Sequence, residues 1–106
     1  MAGLVVGNPR RIDRIFACLA EKWREETGGL SSPSKIAANE SYQAIIDLGP
    51  EVVPLILQDL REYGGFWFPA LRQLTGESPV PESARGNVEL MREHWLRWWE
   101  QNEYAV

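Results

Sequence analysis

Apolar residues recur at steps of three and four along almost the whole of this chain, and polar residues fill the positions between. Ile12, Ile15, Phe16, Leu19 and Trp23 fall on one such stripe and predict a helix over residues 9–27. Asn8 followed by Pro9 offers a cap and a first helical residue, and Gly28-Gly29 offers the stop. The outward face of this helix has Arg10, Arg11 and Arg14 near its start and Glu21, Glu25 and Glu26 near its end. That order is the reverse of what the helix macrodipole favours. The stretch GGLSSPSK, rich in Gly, Ser and Pro, reads as a loop leading into a short helical turn over 34–38. Asn39 then caps ESYQAIIDL, where Tyr42, Ile45 and Ile46 share a helix that Gly49-Pro50 ends.

In PEVVPLILQDLREY the apolar residues Val52, Val53, Leu55, Ile56, Leu57 and Leu60 cover nearly the full circumference, the pattern of a central helix packed on several sides. Pro50 is expected at the first helical position. Pro54, four residues later, is expected to displace a helical hydrogen bond or bend the first turn. Gly64-Gly65 separates this helix from FWFPALRQLTG, with Phe66, Trp67, Leu71 and Leu74 at core spacing and an end at Gly76. A last helix is expected from Gly86 or Asn87 to Asn102, with Val88, Met91, Trp95 and one of Trp98 and Trp99 on its inner stripe. No run alternates with period two, so no strand is predicted. The expected fold is all-α: a compact bundle of about five helices, forming one domain over the 106 residues.

Composition narrows the function classes. A net charge of −4 argues against a broad nucleic-acid footprint, which needs a surplus of Lys and Arg to displace phosphate counterions. A hydrophobic fraction of 44%, always interrupted by charges, leaves no run of the roughly 20 apolar residues a spanning helix requires. The start MAGLVVGNPRR lacks the charge order of a signal peptide. The single cysteine, Cys18, makes no intramolecular disulfide, so a cytoplasmic, non-membrane protein is expected.

The residues able to carry chemistry are sparse. Ser32 and Lys35 match a bare S-x-x-K spacing, in which a lysine activates a serine nucleophile, but no further catalytic motif accompanies them and serine before a helix is an ordinary cap. His94 is the only histidine; Glu93 beside it lies on a different face, and no second strong ligand stands nearby. Asp47, Asp59 and Glu62 read as solvated acids near helix ends. No catalytic residue, metal site or cofactor is expected, and the chain reads as a non-enzyme.

Residues 48–102 bear a family resemblance. Gly49-Pro50 before a helix, Pro54 in its opening turns, Ala70-Leu71 with Arg72, Thr75-Gly76 at the next helix end and a late Trp-rich helix together resemble one unit of the HEAT-repeat group. In that group paired antiparallel helices stack into solenoids. The resemblance implies a HEAT-like antiparallel helical hairpin and a scaffold that binds proteins or nucleic acids. Only one convincing unit is present, with residues 11–23 and 41–49 as a degenerate preceding pair, so an extended array is not expected.

The leading expectation is therefore a protein–protein interaction module, such as a small regulator or antitoxin-like accessory protein. Adjacent helical residues point about 100° apart, so only one of Trp98 and Trp99 can be fully inward, and the outer ring is a candidate partner contact. The loop over 77–86, stiffened by Pro79 and Pro81, is the longest segment without helical pattern and the best candidate surface; Arg85 and Asn87 stand where it meets a helix start able to attract an anion. Arg72, within an apolar helix, is expected to bond to a loop carbonyl or to a carboxylate such as Asp47 or Asp59. The alternative is a nucleic-acid or phosphate binder gripping through Arg10, Arg11 and Arg14 with help from the loop.

Overall fold

The computed structural model describes residues 7–30 and 32–102, with side chains described from Arg11 onward. The side chains of Asn8, Pro9 and Arg10, and so the predicted cap of the first helix and one of its arginines, lie outside the described residues. The fold is all-α, with six α-helices and no strand among the described residues. Two compact units divide the chain, Met1–Val52 and Val53–Val106. Among the described residues no helix is long and apolar enough to cross a membrane.

The first unit is built on α1 (Gly7–Thr27), the short α2 (Pro33–Ala37), α3 (Glu40–Asp47) and a 3₁₀ turn at Pro50–Val52. α1 packs chiefly on α3. Its buried stripe is Phe16, Ala20, Trp23 and Thr27, at steps of four, three and four. This is rotated from the predicted stripe: Ile15 is 38% exposed, and Ile12 and Leu19 are only half-buried. The small Ala20 admits close approach, and Thr27 can be buried because its hydroxyl donates to the Trp23 carbonyl at 2.7 Å. The Trp23 ring meets the buried Tyr42 of α3 at 5.3 Å between centroids, and its indole N–H donates to the Ile36 carbonyl at 3.1 Å.

Asn39 caps α3 as predicted. Its side-chain oxygen accepts from the backbone N–H of Ser41 at 2.8 Å and of Tyr42 at 3.2 Å. The inverted charge order of α1 also finds its reason here. Glu26, badly placed for the C-terminal end of its own helix, accepts from Asn39 Nδ2 at 2.9 Å and from the Ser41 hydroxyl at 3.4 Å. The carboxylate thus sits at the N-terminus of α3, where a helix favours negative charge.

The second unit contains α4 (Val53–Tyr63), α5 (Phe68–Thr75), a 3₁₀ turn at Glu82–Ala84 and α6 (Val88–Asn102). α4 packs on both α5 and α6. Pro50 opens a 3₁₀ turn, not the helix itself, and α4 starts at Val53. Pro54 is therefore the second residue of α4, where the missing N–H has no helical acceptor to lose and the ring needs no bend. α4 buries Val53, Ile56, Leu57, Asp59 and Leu60 but leaves Leu55 half-buried, so it is less enclosed than its composition predicts. Asp59 tolerates burial because it accepts from the indole N–H of the fully buried Trp67 at 3.1 Å. Between the two helices, Gly64 and Gly65 hold consecutive positive φ angles of 77° and 104°, a reversal that side chains resist.

Candidate functional site

The second unit holds an apolar cleft of about 250 Å³, open to the surface between α5, the 76–87 loop and α6. Phe68 and Trp95, at 3% and 1% exposure, are the most buried of its lining residues. Phe66, Pro69, Val80 and Met91 are half-buried around them, while Arg72, Ser78 and Arg85 are exposed at the cleft's edge. The Phe66 ring stands edge-on to Phe68 at 5.5 Å and 90°, which fixes this wall.

Each segment is positioned by local chemistry. α5 starts at Phe68 with Pro69 in its first turn, and Arg72 follows Phe68 by four residues, on the same face. Gly76 ends α5 in a left-handed conformation, φ 74°, and its N–H donates to the Arg72 carbonyl at 2.8 Å. Thr75 binds both ways, donating from its hydroxyl to the Leu71 carbonyl at 2.7 Å and accepting from the Glu77 N–H at 3.0 Å. The loop that follows is ordered by its own backbone. The Ala84 N–H donates to the Pro81 carbonyl, Arg85 to Glu82 and Asn87 to Ala84, at 2.9, 3.2 and 3.1 Å. Ala84, 2% exposed, anchors the loop to the core and holds Arg85 beside the cleft.

α6 divides its work between two faces. Val88, Met91, Trp95 and Trp98 follow steps of three, four and three, so they share one stripe, and Met91 and Trp95 line the cleft. The Trp98 ring lies edge-on to Trp95 at 5.4 Å and 75°. The other face, with Arg92 and Trp99 seven residues apart, turns to α4. The Arg92 guanidinium donates to the Arg61 carbonyl at 2.6 Å, and the Arg61 guanidinium lies over the Trp99 ring at 5.0 Å. Arg92 thus satisfies a carbonyl in the last turn of α4 and complements the negative end of that helix. The indole N–H of Trp99 and the Nε of Arg92 are buried with no hydrogen-bond partner among the described residues.

Arg72 and Arg85 come together at the cleft, and among the described residues neither guanidinium has a hydrogen-bond or ion-pair partner. The expected carboxylate at Asp59 takes its donor from Trp67 instead. Asp47 is exposed. Of the two adjacent tryptophans, Trp99 is the inner one at 8% exposure and Trp98 is the ring with accessible surface. Asn87 uses its side-chain oxygen to accept from the Leu90 N–H at 3.1 Å, capping α6. Arg11 and Arg14 are exposed on α1, in the first unit, with the exposed Asp13 between them.

Phe66, Phe68, Pro69, Ser78, Val80, Met91 and Trp95 join the site without having been singled out for it. The signal was an excess: FWFP supplies three aromatic rings and a proline where one helix stripe needs only two of them.

The other chemistry resolves simply. The Ser32 hydroxyl lies 3.2 Å from that of Ser34, makes no capping bond to its helix, and the Lys35 side chain is exposed. No group of three or more His, Cys, Asp or Glu residues that could hold a metal ion occurs among the described residues. Cys18 is exposed on α1. Comparison of this chain with known protein families, curated proteins and solved structures finds no match.

Proposed function

We propose that this protein is a non-enzymatic interaction module, a small regulator or accessory protein, and that its partner docks on the second unit over the cleft between α5, the 76–87 loop and α6. The observation that carries this reading is the pairing of an open apolar cleft with two arginines at its edge that have no partner among the described residues. Apolar surface that the fold leaves open beside Trp, Met and Arg has the composition of an interface core. The volume, below the range usual for small-molecule sites, suits one inserted side chain of a larger partner. Packing of α4 on α5, with Pro54 in the opening turn of α4, supports reading this pair as a HEAT-like hairpin serving as the scaffold.

The test is affinity capture from native extract at low and high salt, with and without nuclease, using the wild type, Arg72→Glu/Arg85→Glu and Trp98→Ala in parallel. A stoichiometric protein that survives nuclease and salt, and is lost from the double variant, is the expected outcome. Capture unaffected by all three substitutions contradicts the proposed surface. Recovery of nucleic acid alone, lost at high salt, contradicts the proposed function.

A further inference from the structure

The edge of the cleft has a charge character of its own. The chain as a whole has a net charge of −4, yet both charged residues lining the cleft are arginines, contributed by separate segments, α5 and the 3₁₀ turn's exit. Neither is held by an acid among the described residues, although the chain contains 15 Asp and Glu. Two exposed guanidiniums beside apolar walls are suited to carboxylates, which a planar guanidinium can grip through two parallel N–H bonds.

The size of the cleft limits what enters it. A volume of about 250 Å³ corresponds to roughly eight water volumes, and a dry cavity of about 150 Å³ already accepts benzene. One aromatic or large aliphatic side chain therefore fills it. The apolar surface, however, runs beyond the cleft. Along the α6 stripe, Val88 is 52% exposed and Trp98 is partly exposed, and the two are ten residues apart. Ten helical residues span about 15 Å, the length of four or five residues of extended chain at about 3.3 Å each. A small molecule would occupy the cleft and leave this stripe wet, whereas a peptide can cover both.

We infer that the segment docking here is a short acidic peptide of a partner protein, with an aromatic or large aliphatic side chain seated in the cleft and neighbouring Asp or Glu carboxylates paired with Arg72 and Arg85. The inference rests on the docking reading above and adds the chemistry of the partner. The apolar anchor supplies the contact with Phe66, Phe68, Met91 and Trp95; the carboxylates fix its register and exclude basic segments, since juxtaposed like charges are costly.

An array of acetylated, amidated pentapeptides tests it: Gly-Xaa-Φ-Xaa-Gly, with Φ as Trp, Phe, Leu or Ala and Xaa as Asp, Glu, Asn, Gln or Lys. Binding is measured by titration into isotopically labelled protein, following the Met91 and Trp95 resonances. Acidic peptides with a large Φ are expected to bind, with the Asn and Gln analogues about tenfold weaker, the worth of one charge-assisted hydrogen bond. The Ala and Lys peptides are expected not to bind. Arg72→Ala/Arg85→Ala, both at exposed positions, is expected to erase the preference for acid while leaving the spectrum folded. Equal binding of acidic and neutral peptides, or acid preference that survives the double variant, overturns the inference and leaves the docking reading in place. No shift at the cleft with any peptide also overturns it, and the docking reading then stands or falls on the capture experiment.

Discussion

The two units use the same kinds of residue to different ends. In the first, polar groups close on one another: the Trp23 indole on the Ile36 carbonyl, Thr27 on Trp23, and Glu26 on both Asn39 and Ser41 at the start of α3. The second unit contains a comparable lock, Trp67 on Asp59, but also leaves much undone. Among the described residues, Trp99 and Arg92 each bury a donor without a partner, the guanidiniums of Arg72 and Arg85 meet no acid, and an apolar cleft stays open beside those two arginines. A unit whose bonds are mutually satisfied has only stability to gain from them. The unmatched donors of Arg92 and Trp99 lie on the α4 face of α6, away from the cleft, and cost stability there, whereas the exposed guanidiniums of Arg72 and Arg85 are hydrated and leave the cleft's edge able to pair with an acid.

The largest expected effects test the difference at the indoles. Trp23→Phe and Trp67→Phe each shrink a buried ring and break a hydrogen bond, so each should destabilise by roughly 2–3 kcal/mol. Trp99→Phe shrinks a comparable ring but removes a donor that has no partner among the described residues, so its cost should be about 1 kcal/mol or less. Chemical denaturation of the three variants measures this. Equal losses would mean that Trp99 is as well satisfied as the others, and the contrast between the units would weaken.

Helix caps give the next comparison. Asn39 accepts two backbone N–H bonds and donates to Glu26, while Asn87 is exposed and accepts one. Asn39→Ala should cost about 1–2 kcal/mol and Asn87→Ala about 0.5–1 kcal/mol, again by denaturation. If Asn87→Ala proved the costlier, the start of α6 would be the more tightly built of the two.

Much of this architecture was legible from the chain because its signals are local. Asn39, Gly76 and the end of α6 at Asn102 are where capping chemistry and apolar spacing place them. The rotation of α1 was not legible. Steps of three and four are satisfied both by the stripe through Ile15 and by the one through Ala20 and Thr27, and α3 decides between them by what it packs against. The same holds at Trp98 and Trp99: spacing shows that one must turn outward, and only contact with α4 shows which. The cleft was half legible. Composition and position mark Arg72, Arg85 and the loop singly, but the site needs residues 66–72, 78–85 and 91–95 in one place, and no sequence spacing encodes that meeting.

The backbone at the head of the loop gives a further test. The left-handed backbone of Gly76 has nothing within 4 Å of an added Cβ, so Gly76→Ala should cost about 1–2 kcal/mol of backbone strain alone. Its greater consequence should be weaker binding at the cleft, because this residue sets the direction of the loop that supplies Arg85. The smallest effect is expected from Arg72→Ala and Arg85→Ala, both exposed, each within about 0.5 kcal/mol of the wild type in stability. A loss well beyond that would show the arginines to be structural and would remove them from the binding surface.

The most direct test of the central claim, that binding belongs to the open cleft of the second unit, is one titration run on three proteins. The wild type, Arg72→Ala/Arg85→Ala and Arg11→Ala/Arg14→Ala are compared for affinity to the tightest acidic aromatic peptide. The account predicts that the cleft pair loses at least about tenfold in affinity while the α1 pair binds as the wild type does. Loss through Arg11 and Arg14 with the cleft pair unaffected would contradict it and move the functional surface to the first unit.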